Sequence, residues 1–121
     1  MDWKFSGSLP VYQQIMSQLQ GAVLAGSYPA GSRIPSVREL AAEAKVNPNT
    51  MQRALTELEH EGLLESHGTM GRCVTANQAV LDRLRRNVLD ALVRDCARQF
   101  REAGLTLEQA SAMLLRLEKE A

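Results

Sequence analysis

Apolar residues recur at helical spacing in five stretches of the chain and give way to short extended runs in one. From Pro10 to about Ala25, Val11, Ile15, Leu19, Ala22 and Val23 share a face; Pro10 suits a first helical position and Gly26 a stop. The following Ser-Tyr-Pro-Ala-Gly-Ser-Arg-Ile-Pro (27–35) has two inner and flanking prolines and a glycine, which permit only a turn or a short edge strand. Ser36 then caps a second helix that turns Val37, Leu40, Ala41 and Ala44 inward, with Glu39 in the capping-box position. Asn47, with Pro48 behind it, opens a third helix that runs to about Glu61 over a stripe of Met51, Ala54, Leu55 and Leu58. Gly62 ends it.

Beyond Gly62 the pattern changes. Leu63–Ser66 and Gly71–Thr75 are extended runs around a turn, His67-Gly68-Thr69-Met70. From about Asn77 a fourth helix carries Val80 or Leu81, then Leu84, Val88, Leu92, Cys96 and Phe100 inward. Arg83, Arg86, Arg94, Arg98 and Arg101 lie outside. Gly104 breaks it, and Thr106-Leu107-Glu108-Gln109 caps a last helix with Leu107, Ala110, Leu114 and Leu117. The expected fold is mainly α with a small β-hairpin. A winged helix-turn-helix occupies 1–76 and a two-helix tail 77–121.

Charge complicates the picture. Fourteen basic and fourteen acidic residues cancel, so bulk electrostatics points to no nucleic-acid partner. Up to Thr75 the chain carries Lys4, Arg33, Arg38, Lys45, Arg53 and Arg72 against Asp2, Glu39, Glu43, Glu57, Glu59, Glu61 and Glu65. Any DNA-binding case therefore rests on where these few charges sit. The acidic run Glu57–Glu61 reads as a solvated helix end.

The third helix holds the sharpest chemical signal. Asn49, Gln52, Arg53 and Thr56 stand at i, i+3, i+4 and i+7, one hydrogen-bonding face near the helix start. Asn and Gln pair bidentately with adenine and Arg with guanine, while a merely solvated face is more often filled with Glu and Lys. Asn47 and Thr50 sit where free backbone N–H groups favour a phosphate, though capping alone also accounts for Asn47. Ser36 and Arg38 open the preceding helix in the same way. His67, Gly68 and Thr69 at the hairpin tip, with Arg72 beside it, suit groove or phosphate contacts, and a histidine in a turn is equally well simply solvated. Two histidines and the separated Cys73 and Cys96 make no metal constellation. There is no GxSxG, HExxH or phosphate-cradling glycine loop, so neither an enzyme, a cofactor nor a metal is expected. The start of the chain lacks a leader-like apolar stretch and no run is long enough to span a bilayer; a cytoplasmic protein without a membrane partner is expected.

With helix-turn-helix and wing in place, the sequence resembles the winged-helix domain of the GntR family of bacterial transcription regulators. Pro10-Val11-Tyr12-Gln13-Gln14-Ile15, the stretch Gly26–Ala41, Val46–Ala54 and Leu58–Leu64 carry the resemblance, in the family's order. The Asn-Pro-Asn-Thr variant at 47–50, Trp3-Lys4-Phe5 and Gly71–Thr75 resemble its short YtrA-like branch, where a small helical tail follows the wing. The resemblance implies a homodimeric repressor, and a two-fold dimer would set two copies of the third helix about 34 Å apart on a palindromic double-stranded operator. DNA contacts are implied at Arg38, Asn47, Asn49, Thr50, Gln52, Arg53, His67 and Gly68. It implies no pyridoxal cofactor, because the tail is far too short for the aminotransferase-like fusion of another branch. Two features depart from the family: the tip reads Gly68-Thr69-Met70-Gly71 where glycine-x-glycine is usual, and Cys73 stands in an aromatic's place.

The tail's apolar positions Leu84, Val88, Leu92, Phe100, Leu114 and Leu117 are too many for two helices to shelter alone, which points to a dimer interface. A pocket between tail and winged helix would admit an unidentified small-molecule effector, and nothing in the sequence separates it from ordinary core. The rival reading is a winged-helix protein-interaction module that binds no DNA, favoured by the neutral charge and opposed by the Asn/Gln/Arg face.

Overall fold

The computed structural model describes all 121 residues. In chain order it comprises α1 (Val11–Leu24), α2 (Val37–Ala44), α3 (Pro48–His60), β1 (Leu64–Ser66), β2 (Arg72–Val74), α4 (Gln78–Glu102) and α5 (Leu107–Glu120). A single 3₁₀ turn, Gly68–Met70, joins the two strands. The chain divides into two compact units, Met1–Arg85 and Arg86–Ala121.

In the first unit α3 is the central element and packs on α1, α2 and β1. Its stripe Met51, Ala54, Leu55 and Leu58 is completely buried. Ile15 and Leu19 of α1, Leu40, Ala41 and Ala44 of α2, and Leu63, Leu64 and Val74 of the hairpin close around it. Val11 instead lies exposed at the start of α1, and Val37 only half-covers the core.

Local chemistry defines the boundaries. The Ser36–Glu39 capping box is formed in both directions, and Asn47 accepts the Asn49 N–H at 2.8 Å with Pro48 next to it. At the end of α3, Leu63 N–H returns to Leu58 O at 3.0 Å and Gly62 N–H to Glu59 O at 2.9 Å. This is a Schellman closure, and it requires the left-handed φ of 84° that Gly62 supplies. The turn between α2 and α3 is a related closure in which Lys45 N–H and Val46 N–H (3.0 Å) both return to Ala41 O, with Lys45 at φ 58°. A side chain there costs about 1 kcal/mol that glycine would not.

The wing is a two-stranded antiparallel hairpin pairing Leu64 with Val74, Glu65 with Cys73 and Ser66 with Arg72. The proline-bracketed segment before α2 adds a third rung. Arg33 bridges Cys73, Val74 donates to Ser32 O at 2.8 Å and Ile34 to Arg72 O at 3.0 Å. Pro29 and Pro35 fit such an edge because they remove donors only outside the paired residues. Val74 enters the core from β2, and Cys73, also buried, lies on the strand's other face.

Residues ahead of α1 run alongside it, held by two glutamines one turn apart. Gln18 accepts from Lys4 N–H at 2.9 Å and donates to Lys4 O at 2.8 Å; Gln14 does the same for Ser6, at 2.8 Å each way. The first turns of α4 also belong to this unit: Asn77 caps them, accepting from Ala79 N–H at 3.0 Å, and Leu81 and Leu84 pack against the core.

The second unit consists of the rest of α4 and of α5. Leu105 N–H closes the end of α4 on Phe100 O at 3.0 Å, Thr106 and Gln109 form a capping box, and Ala110 is buried. The outer face carries the ion pairs Arg94–Asp90 and Arg98–Glu102, at 2.8 and 2.9 Å, and Arg98–Asp95. The Arg98 hydrogen bond, then that of Gln99, holds the Asp95 carboxyl below its ordinary range. These pairs are solvated and add little stability. No helix is long and apolar enough to cross a membrane.

The central place of α3 makes its stripe the least tolerant part of the chain. Leu55→Ala, at a completely buried site, is expected to lower unfolding free energy by about 2–5 kcal/mol in urea denaturation. A loss below about 1 kcal/mol would show that α3 is not the core element.

Candidate nucleic-acid interface

Burial of the α3 stripe decides what the helix offers to solvent. Asn49, Gln52 and Arg53 are exposed and Thr56 is half-buried. Gln52 Nε2 donates to Thr56 Oγ1 at 3.3 Å, which lays the two side chains along one line of the helix. The Asn47 side-chain oxygen is spent on its capping bond, and Thr50 is half-buried. Arg53 leans toward α1, with its guanidinium carbon 3.7 Å from the centroid of the Tyr12 ring. Stacking engages only the flat face of the guanidinium and leaves its N–H edge available.

A second group of expected residues meets between the start of α2 and the wing. Ser36, Arg38, Ser66, Gly68, Gly71 and Arg72 line an open cleft of about 430 Å³. The Ser36 hydroxyl accepts from Glu39 N–H at 3.2 Å, so it serves the helix end, and Arg38 projects with no carboxylate partner. At the tip, His67 Nε2 lies 3.4 Å from Glu65 Oε1, both half-exposed, and Thr69 and Met70 are exposed. Gly68 and Gly71 both take positive φ, 59° and 80°.

Glu59 joins the wing to α3. It accepts from Arg72 Nε and, at 3.2 Å on the same Oε1, from Ser66 Oγ. The pair is largely shielded, with side-chain exposures of 18% for Arg72 and 28% for Glu59. One carboxylate at the end of the third helix thus grips both strands of the hairpin. This role is hidden in the sequence, where Glu59 is one acid in a run of three. Its signal is the matching arginine on β2, thirteen positions away.

The even charge count divides into paired and unpaired groups. In this unit Asp2 pairs with Lys4, Glu43 with the Met1 ammonium and Glu59 with Arg72, whereas Arg33, Arg38, Lys45 and Arg53 pair with no carboxylate. Glu43 is held below its usual range, chiefly by its hydrogen bond to that ammonium. Tyr28 lies above the ordinary phenol value, first through burial and then through Glu43. Glu39, Glu57 and Glu61 likewise pair with no cation, so the free charges of the unit are of both signs.

In the tail, Val88 and Phe100 are half-buried while Leu92, Leu114 and Leu117 are 62%, 48% and 61% exposed. Leu84 belongs to the winged-helix core. Leu89, Val93, Met113 and Leu115 are exposed as well, so the apolar surface is broader than the heptad-like positions alone indicate. Between α1 and the first turns of α4 the hollow measures only about 90 Å³, with Asp82 and Arg85 among its lining. That is well below the several hundred Å³ of an ordinary ligand pocket.

The sequence profile described as "Bacterial regulatory proteins, gntR family" matches residues 11–74, from the start of α1 to the end of β2. The chain belongs to the gntR family. Its members are transcriptional regulators, and the chain is accordingly a helix-turn-helix, DNA-binding regulator and not an enzyme. Among similar proteins, the uncharacterized HTH-type transcriptional regulator YhcF of Bacillus subtilis (strain 168) is 34% identical over 109 residues, 90% of each chain. The HTH-type transcriptional repressor YtrA of the same organism is 41% identical over 70 residues, 58% of this chain and 54% of its own. A solved GntR family transcriptional regulator from Listeria monocytogenes superposes with a TM-score of 0.83 at 29% identity, covering 93% of this chain and 98% of the other. A winged helix followed by C-terminal helices is thus the architecture that this gntR protein shares with the Listeria regulator.

The Glu59 grip generates a direct expectation for this gntR chain. Glu59→Ala is expected to raise amide exchange at Arg72–Val74 several-fold, while Met51–Leu58 stays protected by its packing. Unchanged exchange in β2 would mean that strand pairing alone holds the wing.

Proposed function

We propose that this chain is a homodimeric transcriptional repressor that reads a palindromic operator with the exposed face of α3 and steadies itself with the wing. The observation that carries the reading is the α3 face itself. Asn49, Gln52 and Arg53 are exposed, hydrogen-bonding and unpaired with any acid, on the one helix whose opposite side anchors the core. Gln52 and Asn49 present amides suited to adenine and Arg53 a fork suited to guanine or phosphate. Arg38, the start of α3 at Asn47 and Thr50, and the wing residues His67, Gly68 and Thr69 would flank that face on the sugar-phosphate backbone, while Arg72, held by Glu59, would serve by fixing the wing. Ser36 would contribute chiefly by fixing the start of α2.

Dimerisation follows from the tail. Leu92, Leu114 and Leu117, flanked by Val88 and Phe100, would pair with the same residues of a second copy, an isologous contact that burial alone favours. Leu84 would stay with the winged-helix core. Two α3 helices would then enter successive major grooves about 34 Å apart. Repression takes support from the repressor YtrA, 41% identical over 70 residues. Action in the cytoplasm, where the DNA is, accords with this role.

Selection by the full chain from a random-sequence duplex pool tests the reading. The expected product is a two-fold-symmetric sequence with half-sites about one helical turn apart, or a multiple, bound by two protomers in light scattering. No enrichment at low salt would overturn DNA reading in favour of a protein-interaction module. Enrichment of an asymmetric site by one protomer would overturn the dimer.

A further inference from the structure

The strongest unassigned feature of the molecule is the stack between α1 and α3. Arg53 belongs to the face expected to meet DNA, yet it does not stand free. Its guanidinium carbon lies 3.7 Å from the Tyr12 ring centroid, the contact distance of a face-on stack. The ring is seated against the winged-helix core. Tyr12 is half-buried and packs against the core, and its hydroxyl receives the Gln13 Nε2 donor at 3.2 Å. No acid pairs with Arg53. An exposed arginine on a helix ordinarily samples many rotamers and loses that freedom when a partner immobilises it. Here an aromatic platform on a neighbouring helix has already restricted it.

We propose that Tyr12 is a positioning residue for DNA binding: its ring holds the Arg53 guanidinium flat before DNA arrives, leaving the N–H edge directed outward for a base or phosphate oxygen. The proposal rests on the reading of α3 as the DNA-facing helix. It adds a specificity-determining role for a residue of α1 that need not touch DNA. The physical gain is preorganisation. The face of the guanidinium is used by the ring and the edge by the ligand, so the two interactions do not compete. Asn49, whose side chain makes no hydrogen bond in the chain, has no such support and would adapt to its partner.

The test is a double-substitution cycle on the full chain, with the duplex enriched by the wild-type protein as probe and fluorescence anisotropy as readout. Tyr12→Leu keeps an apolar side chain on the core and removes the π-face. It is expected to weaken binding about three- to fivefold. Tyr12→Phe, which keeps the ring, is expected to stay within about twofold of wild type. In an Arg53→Ala background Tyr12→Leu should change nothing further, because there is nothing left to position. An equal loss in both backgrounds would overturn the proposal and reduce Tyr12 to core packing; no loss in either would overturn it too. Failure of the wild-type protein to enrich any duplex would overturn the DNA reading and this inference together, and is distinguishable from both.

Nuclear magnetic resonance of the free wild-type chain supplies a readout that needs no variant. The Arg53 Cδ protons, next to the guanidinium that lies over the Tyr12 ring, should be shifted upfield by its ring current. Random-coil shifts at Arg53 would overturn the stack even if Tyr12→Leu fails to fold.

Discussion

The complete burial of Met51, Ala54, Leu55 and Leu58 is the constraint on which the winged-helix unit depends. A helix with one face sealed against α1, α2 and β1 cannot rotate, so the residues on its other face are fixed in direction by the core. Loss of packing there would degrade the presented Asn49, Gln52 and Arg53 as surely as substitution of those residues. Stability and recognition are thus carried by opposite sides of one thirteen-residue helix. The closures at either end, Asn47 with Pro48 and the Schellman turn at Gly62, set where that helix begins and stops.

Two side-chain links then extend this rigidity to the elements around α3. Glu59 ties the helix to both strands of the wing through Arg72 and Ser66, and Tyr12 ties it to α1 through Arg53. Their consequences differ. The Glu59 link consumes a cation that would otherwise be free, whereas the Tyr12 stack leaves the charge of Arg53 usable. This bears on the balanced net charge, because Arg33, Arg38, Lys45 and Arg53 remain unpaired but so do the carboxylates of Glu39, Glu57 and Glu61. A protein with so few free cations gains little from counterion release, so base-edge contacts carry more of the recognition than in a strongly basic repressor.

Much of this was legible in the sequence, for a local reason. Helical periodicity, the Ser36–Glu39 box, Asn47-Pro48 and Gly62 are short-range signals, and each element they define is present in the structure. Membership of the gntR family was legible from the ordered blocks between Pro10 and Leu64. Pairings between distant residues were not. Glu59 with Arg72, Tyr12 with Arg53 and the third rung at Arg33–Cys73 depend on tertiary approach, which leaves no period along the chain. The role of Leu84 was hidden for a related reason: one apolar stripe of α4 serves the winged-helix core at its start and lies in the second unit further on. In α5, Met113, Leu114, Leu115 and Leu117 are all exposed, so a single stripe was too simple a description of that helix.

The central claim is that the outward face of α3 reads base sequence. Comparing the sequences enriched by the wild-type chain and by Gln52→Ala tests it most directly, since Gln52 is exposed and its removal leaves the core intact. The account predicts that preference vanishes at one symmetric position in each half-site, a discrimination of about 1–3 kcal/mol, and persists elsewhere. An unchanged preference at every position, or a uniform loss across the whole site, would contradict it.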